Sequence, residues 1–233
     1  MNDSSVKLHA FLAQAGIASR RACEKLIVSG VVRVNGDVVT NIAQRINPHK
    51  DRVLYKDKLI EVEKKVYVVA WKPRGMVCTT RDPEGRSTVM RFAPKQSRVY
   101  PVDRIDAAFS GLVVLTNDGD VAHAVSNPAY GVLHTYNVLI FGSPSNSSLT
   151  TLHQHAESGG NVAIVGHEHA NTRLAITLHE TPHMSVQRLL SLARLQPLDV
   201  TRTAMGPFTL HGLSENMSRP AYVTELRALG VRV

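Results

Sequence analysis

The sequence predicts an α+β protein in two parts: a small helix-helix-hairpin unit over residues 1–62, then a mixed, mainly antiparallel domain over residues 63–233. Three observations lead there. Two amphipathic runs and an Asn-Gly turn are complete within the first forty residues. From Val66 the chain changes to short β-like runs, most of them bounded by Pro, Gly, Asn or Asp. Helix-like stretches are interspersed among those runs, the pattern of helices packed on a largely antiparallel sheet.

In the first part, Leu8, Phe11, Leu12 and Ala15 recur at i, i+3, i+4 and i+7, one apolar helix face that Gly16 ends. Ser19 is a suitable N-cap for a second helix whose inner face is Cys23, Leu26 and Ile27, with Gly30 at its stop. Val31–Val34 and Val38–Thr40 flank Asn35-Gly36, a pair that favours positive φ at both central positions of a type I′ turn, so a hairpin follows. In the second part the patterning predicts strands over 66–71, 75–79, 99–102, 111–116, 134–140, 161–165 and 173–178. Helices are expected near 119–126, 185–195 and 220–229, and residues 142–148 read as a loop.

With 233 residues and 43% apolar content the chain can build a real core, and its net charge of +8 suits a polyanionic partner. The charge is uneven. Residues 1–65 hold twelve Lys and Arg against seven Asp and Glu, a net of +5, and the rest hold fifteen against twelve, a net of +3. Arg21 and Lys25 lie four apart on the second helix, with Arg20 beside them and Arg33 on the next strand, a basic face able to follow a phosphate backbone. The longest apolar run, Val66 to Trp71, is far short of the roughly 20 residues that cross a bilayer. The first residues lack the basic-then-apolar pattern of an export signal, so a cytoplasmic protein is expected. Cys23 and Cys78 have no metal-ligand spacing and read as buried small hydrophobes.

Asp106 falls between the expected strands 99–102 and 111–116, a sheet-edge connection where both a turn-forming and a catalytic aspartate are found. Tyr136 lies on a β-like stretch, and Val186-Gln187-Arg188 opens an amphipathic helix. A carboxylate, an aromatic platform and cations would make a base-binding pocket if the fold gathers them. The histidines of His153/His155 and His167-Glu168-His169 are spaced HxH rather than HExxH, so a catalytic metal is not expected.

Five segments in order carry a resemblance: "KLHAFLAQAGIASRRACEKLIVSGVVRVNGDVV", "KPRGMVCTTRDPEGRSTV", "YPVDRIDAAFSGLVVLTNDGDVAHAVSNP", "HTYNVLI", and "SVQRLLSLA" with "VTRTAMGPFTL". The chain resembles the bacterial ribosomal RNA pseudouridine synthases that carry an amino-terminal S4-type RNA-binding module. The resemblance implies an S4-like RNA-binding domain over 1–62 and a pseudouridine synthase domain over 63–233. It implies isomerisation of uridine without cofactor or metal, and ribosomal RNA or a pre-ribosomal particle as partner to a monomer. Asp106 matches the essential aspartate, Arg104 the arginine two residues before it, and Tyr136 the tyrosine that packs on the target base. Arg20, Arg21, Lys25, Arg33, Lys72 and Arg188 are the expected RNA contacts.

Two departures matter. The usual Gly-Arg-Leu-Asp reads Asp103-Arg104-Ile105-Asp106, which adds a second carboxylate whose like charge would raise a neighbouring pKa. The usual Gln-Val-Arg-Arg reads Ser185-Val186-Gln187-Arg188, so the arginine that pairs with the catalytic aspartate is Gln187, and the basic residues upstream become Thr181, Pro182 and His183. A buried Asp106 anion would then lack its partner, a loss of about 3–5 kcal/mol. A divergent enzyme drawing a cation from Arg104 or Arg188 and a catalytically silent RNA-binding relative both remain open.

Overall fold

A computed structural model describes residues 5–48, 50–61, 64–156, 159–181 and 184–230. Val62 and Glu63, at the expected domain boundary, and Pro182 and His183 lie outside the described residues. The chain divides into two units, Met1–Lys65 and Val66–Val233.

The first unit runs β1 (Val6–Lys7), α1 (Leu8–Gln14), α2 (Arg20–Val28), β2 (Val32–Val34), β3 (Asp37–Val38), β4 (Arg45–Ile46), β5 (Val53–Tyr55) and β6 (Lys58–Leu59). Ser19 caps α2 by accepting from the Ala22 amide. Asn35 and Gly36 both have positive φ, 54° and 99°, and join β2 to β3. The four-stranded sheet has the order β3-β2-β5-β6, so the expected hairpin gains two further strands. Leu8, Phe11 and Leu12 of α1 and Cys23 and Ile27 of α2 bury their faces against Val32, Val34, Ile46 and Val53.

The second unit contains β7 (Tyr67–Lys72), β8 (Tyr100–Val102), β9 (Ser110–Thr116), α3 (Gly119–Ser126), β10 (His134–Ile140), α4 (Asn146–His155), β11 (Asn161–Glu168), β12 (Asn171–Leu178), α5 (Val186–Leu192), β13 (Pro197–Met205), β14 (Phe208–Thr209), β15 (Ser218–Pro220) and α6 (Val223–Ala228). Among the described residues these strands form one nine-stranded sheet, β11-β12-β10-β13-β9-β7-β15, with β8 on β9 and β14 on β13. Every pairing is antiparallel except β9 with β13. Strand β9 is buried on both sides. Leu112 and Val114 pack with Val121 and Val125 of α3 and Leu226 of α6, while Val113 and Leu115 pack with Met76, Val99 and Ile105. A third cluster joins Tyr136, Val138 and Val200 to Leu152 of α4 and Val186 and Leu189 of α5.

Two expectations are corrected. Residues 75–79 form no strand; Val77 makes only an isolated bridge to Thr88, and Met76 and Cys78 are buried by packing rather than by a ladder. The loop expected over 142–148 instead runs into α4, whose N-cap Ser145 accepts from the Ser148 amide. No helix among the described residues is long and apolar enough to cross a membrane.

Candidate active site

Strand register assembles the site. Lys72 pairs with Gly111, Gly111 with Arg202, and Arg202 with Tyr136, so one row crosses β7, β9, β13 and β10. Directly opposed residues project to the same face of a sheet, which places Lys72, Arg202 and Tyr136 on one side. All three are buried. Gly111, at φ 124°, has no side chain because a Cβ there would stand 2.4 Å from the backbone N and O of Arg202.

The loop from Asp103 to Phe109 is held against that row by both cations. Lys72 Nζ donates to Phe109 O at 2.6 Å, Met76 O at 2.9 Å and Pro73 O at 3.1 Å, and approaches Ala107 O at 3.5 Å. The Gly75 amide donates to Ala107 O as well. At the other end the carboxylate of Asp103 accepts from Arg202 Nη1, while Arg202 Nε donates to Leu112 O. Between these anchors Asp106 Oδ1 accepts from the Ala108 amide at 2.8 Å and Asp106 O from the Phe109 amide, a turn that leaves the carboxylate exposed. Burial pulls the Lys72 ammonium below the usual lysine range, with the charge of Asp106 among the groups working the other way.

Behind Asp103 lies a buried polar network. His134 Nδ1 is 2.9 Å from Glu180 and 3.9 Å from Asp103, and Glu180 also accepts from the Val186 amide at the start of α5. Burial opposes the charge on Glu180, but His134, the Val186 amide and Arg202 together hold its carboxyl below the usual range. Burial raises the Tyr136 hydroxyl far above the ordinary phenol range. One ligand-type atom from each of Asp103, His134 and Glu180 lies within 4.8 Å of the others, a donor set of two carboxylates and an imidazole. Arg202 Nη1 already occupies Asp103, and Glu180 is shared between His134 and an amide, while Arg202 Nη2 is buried with no hydrogen-bond partner among the described residues. A cavity of about 430 Å³ opens beside the network, bordered by Asp103, Arg104, Asn127, His134, Glu180 and Ser185.

A model of the RNA pseudouridylate synthases matches residues 66–198, and one of the S4 domain matches residues 6–53. An uncharacterized RNA pseudouridine synthase of Aquifex aeolicus is 35% identical over 96% of this chain and 93% of its own. The chain belongs to the RNA pseudouridylate synthase family. The ribosomal large subunit pseudouridine synthase B of Bacillus subtilis is 31% identical over 96% of each chain. A crystal structure of a pseudouridylate synthase shares the fold, with 21% identity, a TM-score of 0.65 and coverage of 96% of this chain and 99% of that one.

Within the synthase unit, Arg104 borders the cavity and is exposed, with no carboxylate within 4.0 Å among the described residues. Asp106 is not among the cavity's lining residues. Lys72, expected on the RNA surface, is corrected: it is wholly buried, so it braces the Asp106 loop instead of meeting phosphate. The expectation of a buried Asp106 anion is corrected too. The exposed carboxylate is solvated, and no Lys, Arg or His nitrogen among the described residues lies within 4.0 Å of it. The added carboxylate of Asp103 meets Arg202 rather than standing as an unmatched charge. Tyr136 is only 1% exposed, so its ring is a covered platform, with Phe109 and Met184 among the side chains packed on its cluster. Gln187 and Arg188 both face solvent on α5.

In the S4 unit Arg20, Arg21 and Lys25 are exposed on α2, whereas Arg33 holds Gly36 O and lies 3.7 Å from Asp57. Sequence reasoning missed Arg202, His134 and Glu180. The available signal was parity: Arg202 follows Val200 by two on a strand and must share its inward face. His153 and His155 lie in the last turn of α4, while His167 lies on β11 and His169 follows it in the turn.

Proposed function

We propose that this synthase isomerises uridine in ribosomal RNA, free or in a pre-ribosomal particle, as a cytoplasmic monomer, with Asp106 as the catalytic carboxylate. The observation that carries this reading is the double anchorage of the Asp106 loop, to Lys72 through carbonyl oxygens and to Arg202 through Asp103. A solvated, anchored carboxylate is available to an extruded nucleoside without a buried guanidinium to hold its charge, so Gln187 costs less here than at a buried site. Arg104, exposed at the cavity rim, enters the vacated base stack, offsetting the few kcal/mol of extrusion. Asp106 acts at the sugar so that the bond from sugar carbon to base nitrogen breaks; the base turns, a base carbon bonds to the same sugar carbon, and the proton that base carbon carried is lost while the freed nitrogen takes one up. Tyr136 packs on the base once a side chain of its cluster gives way. Arg20, Arg21 and Lys25, with Arg33 at the hairpin and Arg188 on α5, hold phosphates.

Asp106→Asn tests the assignment. Turnover should disappear while RNA affinity is retained or rises slightly, since the amide keeps the shape of the carboxylate and removes only a negative charge that would face phosphate. A variant with wild-type turnover removes Asp106 from its role. Gln187, neutral and solvent-facing, favours a second reading, RNA binding without turnover. Deleting the gene and mapping ribosomal RNA by carbodiimide chemistry separates the two: a lost pseudouridine supports the enzyme, an unchanged map the silent binder.

A further inference from the structure

Helix α2 presents a stripe to solvent that changes character along its length. Arg21, Lys25 and Val28 follow one another at i, i+4 and i+7, so two cations lead to a valine that is 61% exposed. Across from it Ile42, from the segment before β4, is 48% exposed. Between them runs an open, largely apolar groove of about 560 Å³, lined by Arg21, Glu24, Lys25, Val28, Ser29 and Ile42. Its size falls in the range of about 300–1,000 Å³ typical of small-ligand sites. Neither Arg21 nor Lys25 is engaged in an ion pair with a described residue.

We propose that this groove seats one unpaired nucleobase of the bound RNA, its face on Val28 and Ile42 and its flanking phosphates on Arg21 and Lys25. The inference rests on the S4 unit being the RNA-binding module and adds what kind of RNA feature it selects. The net charge of +5 over residues 1–65 favours a polyanion. A duplex turns its phosphates outward and its base faces inward, so it could engage the two cations but would leave the aliphatic pair uncovered. An unpaired nucleotide offers an apolar face and phosphates together, and single-stranded segments are where proteins read RNA bases. Glu24, on the same wall, is placed to accept from an N–H on the base edge, as carboxylates do with exocyclic amino groups. A protein partner would need a far wider patch, since specific interfaces bury about 800 Å² on each side.

The test uses the full chain and two RNAs of equal length, a hairpin with an unpaired loop and a blunt duplex, with affinity measured by fluorescence anisotropy across salt. Val28→Ser with Ile42→Ser should weaken the hairpin about five- to tenfold, leave the salt slope unchanged and spare the duplex. Arg21→Ala with Lys25→Ala should flatten the slope for both RNAs by about one to two units. All four side chains border solvent, and an unchanged melting curve verifies folding. A 5-iodouridine in the hairpin loop should crosslink to the wild-type chain at the peptides carrying Val28 or Ile42. If the alanine pair flattens the slope but the serine pair changes neither RNA, or weakens both equally, or the crosslink maps elsewhere, the base site is wrong while the RNA-binding reading stands, and a protein contact becomes the use of the patch. If the alanine pair leaves the slope untouched, the RNA-binding reading of this face fails first.

Discussion

Asp103 combines a favourable charge contact with an unfavourable backbone conformation, and substitutions can separate the two. Its φ is 61°, in the left-handed region that costs an ordinary L-residue about 1–2 kcal/mol and that glycine adopts freely. Its carboxylate meets the guanidinium of Arg202, which is fully buried, while its own side chain is 29% exposed. Breaking a fully buried pair costs about 3–5 kcal/mol. Partial exposure, and Glu180 as a remaining counter-charge for Arg202, reduce that to about 2–3 kcal/mol. Asp103→Asn, which tolerates the left-handed turn, should therefore cost about 2–3 kcal/mol. Asp103→Ala should cost about 1 kcal/mol more because it loses the charge and keeps the backbone penalty. Asp103→Gly should be the mildest, at about 1–2 kcal/mol, since release of the turn offsets part of the lost pairing. Urea unfolding followed by fluorescence measures this cleanly, because the chain's one tryptophan, Trp71, lies on β7 of the same unit. An alanine variant no worse than glycine would remove the backbone argument. All three within 0.5 kcal/mol of the parent, about the scatter expected of an ordinary surface substitution, would show that Arg202 does not depend on Asp103.

Lys72→Met should lower unfolding free energy by about 2–3 kcal/mol, the loss of charge-assisted bonds to Phe109 O and Met76 O exceeding the relief of desolvation. It should also reduce kcat about tenfold or more at nearly constant KM, because the freed loop carries Asp106; single-turnover kinetics on the folded variant check it, and unchanged kcat would separate the brace from the chemistry. Gly111→Ala should unfold the larger unit or cost more than about 3 kcal/mol, since the new Cβ meets backbone rather than a movable side chain, and thermal melting reports it. Glu180 sets an acid limit. Its folded pKa lies below the unfolded value, so its contribution is complete above about pH 4.3 and is lost as pH falls through the folded value. Stability of the parent should then fall more steeply below pH 4.3 than that of Glu180→Gln in urea titrations, and parallel curves would count against the network.

The elements that were legible in the sequence are those that local spacing specifies. The helix pair followed from Leu8, Phe11, Leu12, Cys23 and Ile27, which do face one core, and the hairpin from Asn35-Gly36, whose backbone needs positive φ. Helix α4 was hidden because Asn, Ser, Thr and His are weak helix formers; with only Leu152 buried, it gains its stability from the sheet it covers. Residues 75–79 misled in the opposite direction, since apolar β-like composition describes burial as well as pairing. At the candidate site, resemblance proposed Asp106 and Arg104, but the groups that hold their loop were not legible. Lys72, Gly111, Arg202 and Tyr136 are separated by up to 130 positions and meet only because four strands pair in one register. A one-residue slip in any of them would turn that residue to the other face. That is why Lys72, expected as an RNA contact, turned out to be buried. Its neighbours in space, two carbonyl oxygens of the Asp106 loop, come within reach because pairing sets Gly111 of β9 between Lys72 and Arg202, where a larger residue would meet backbone.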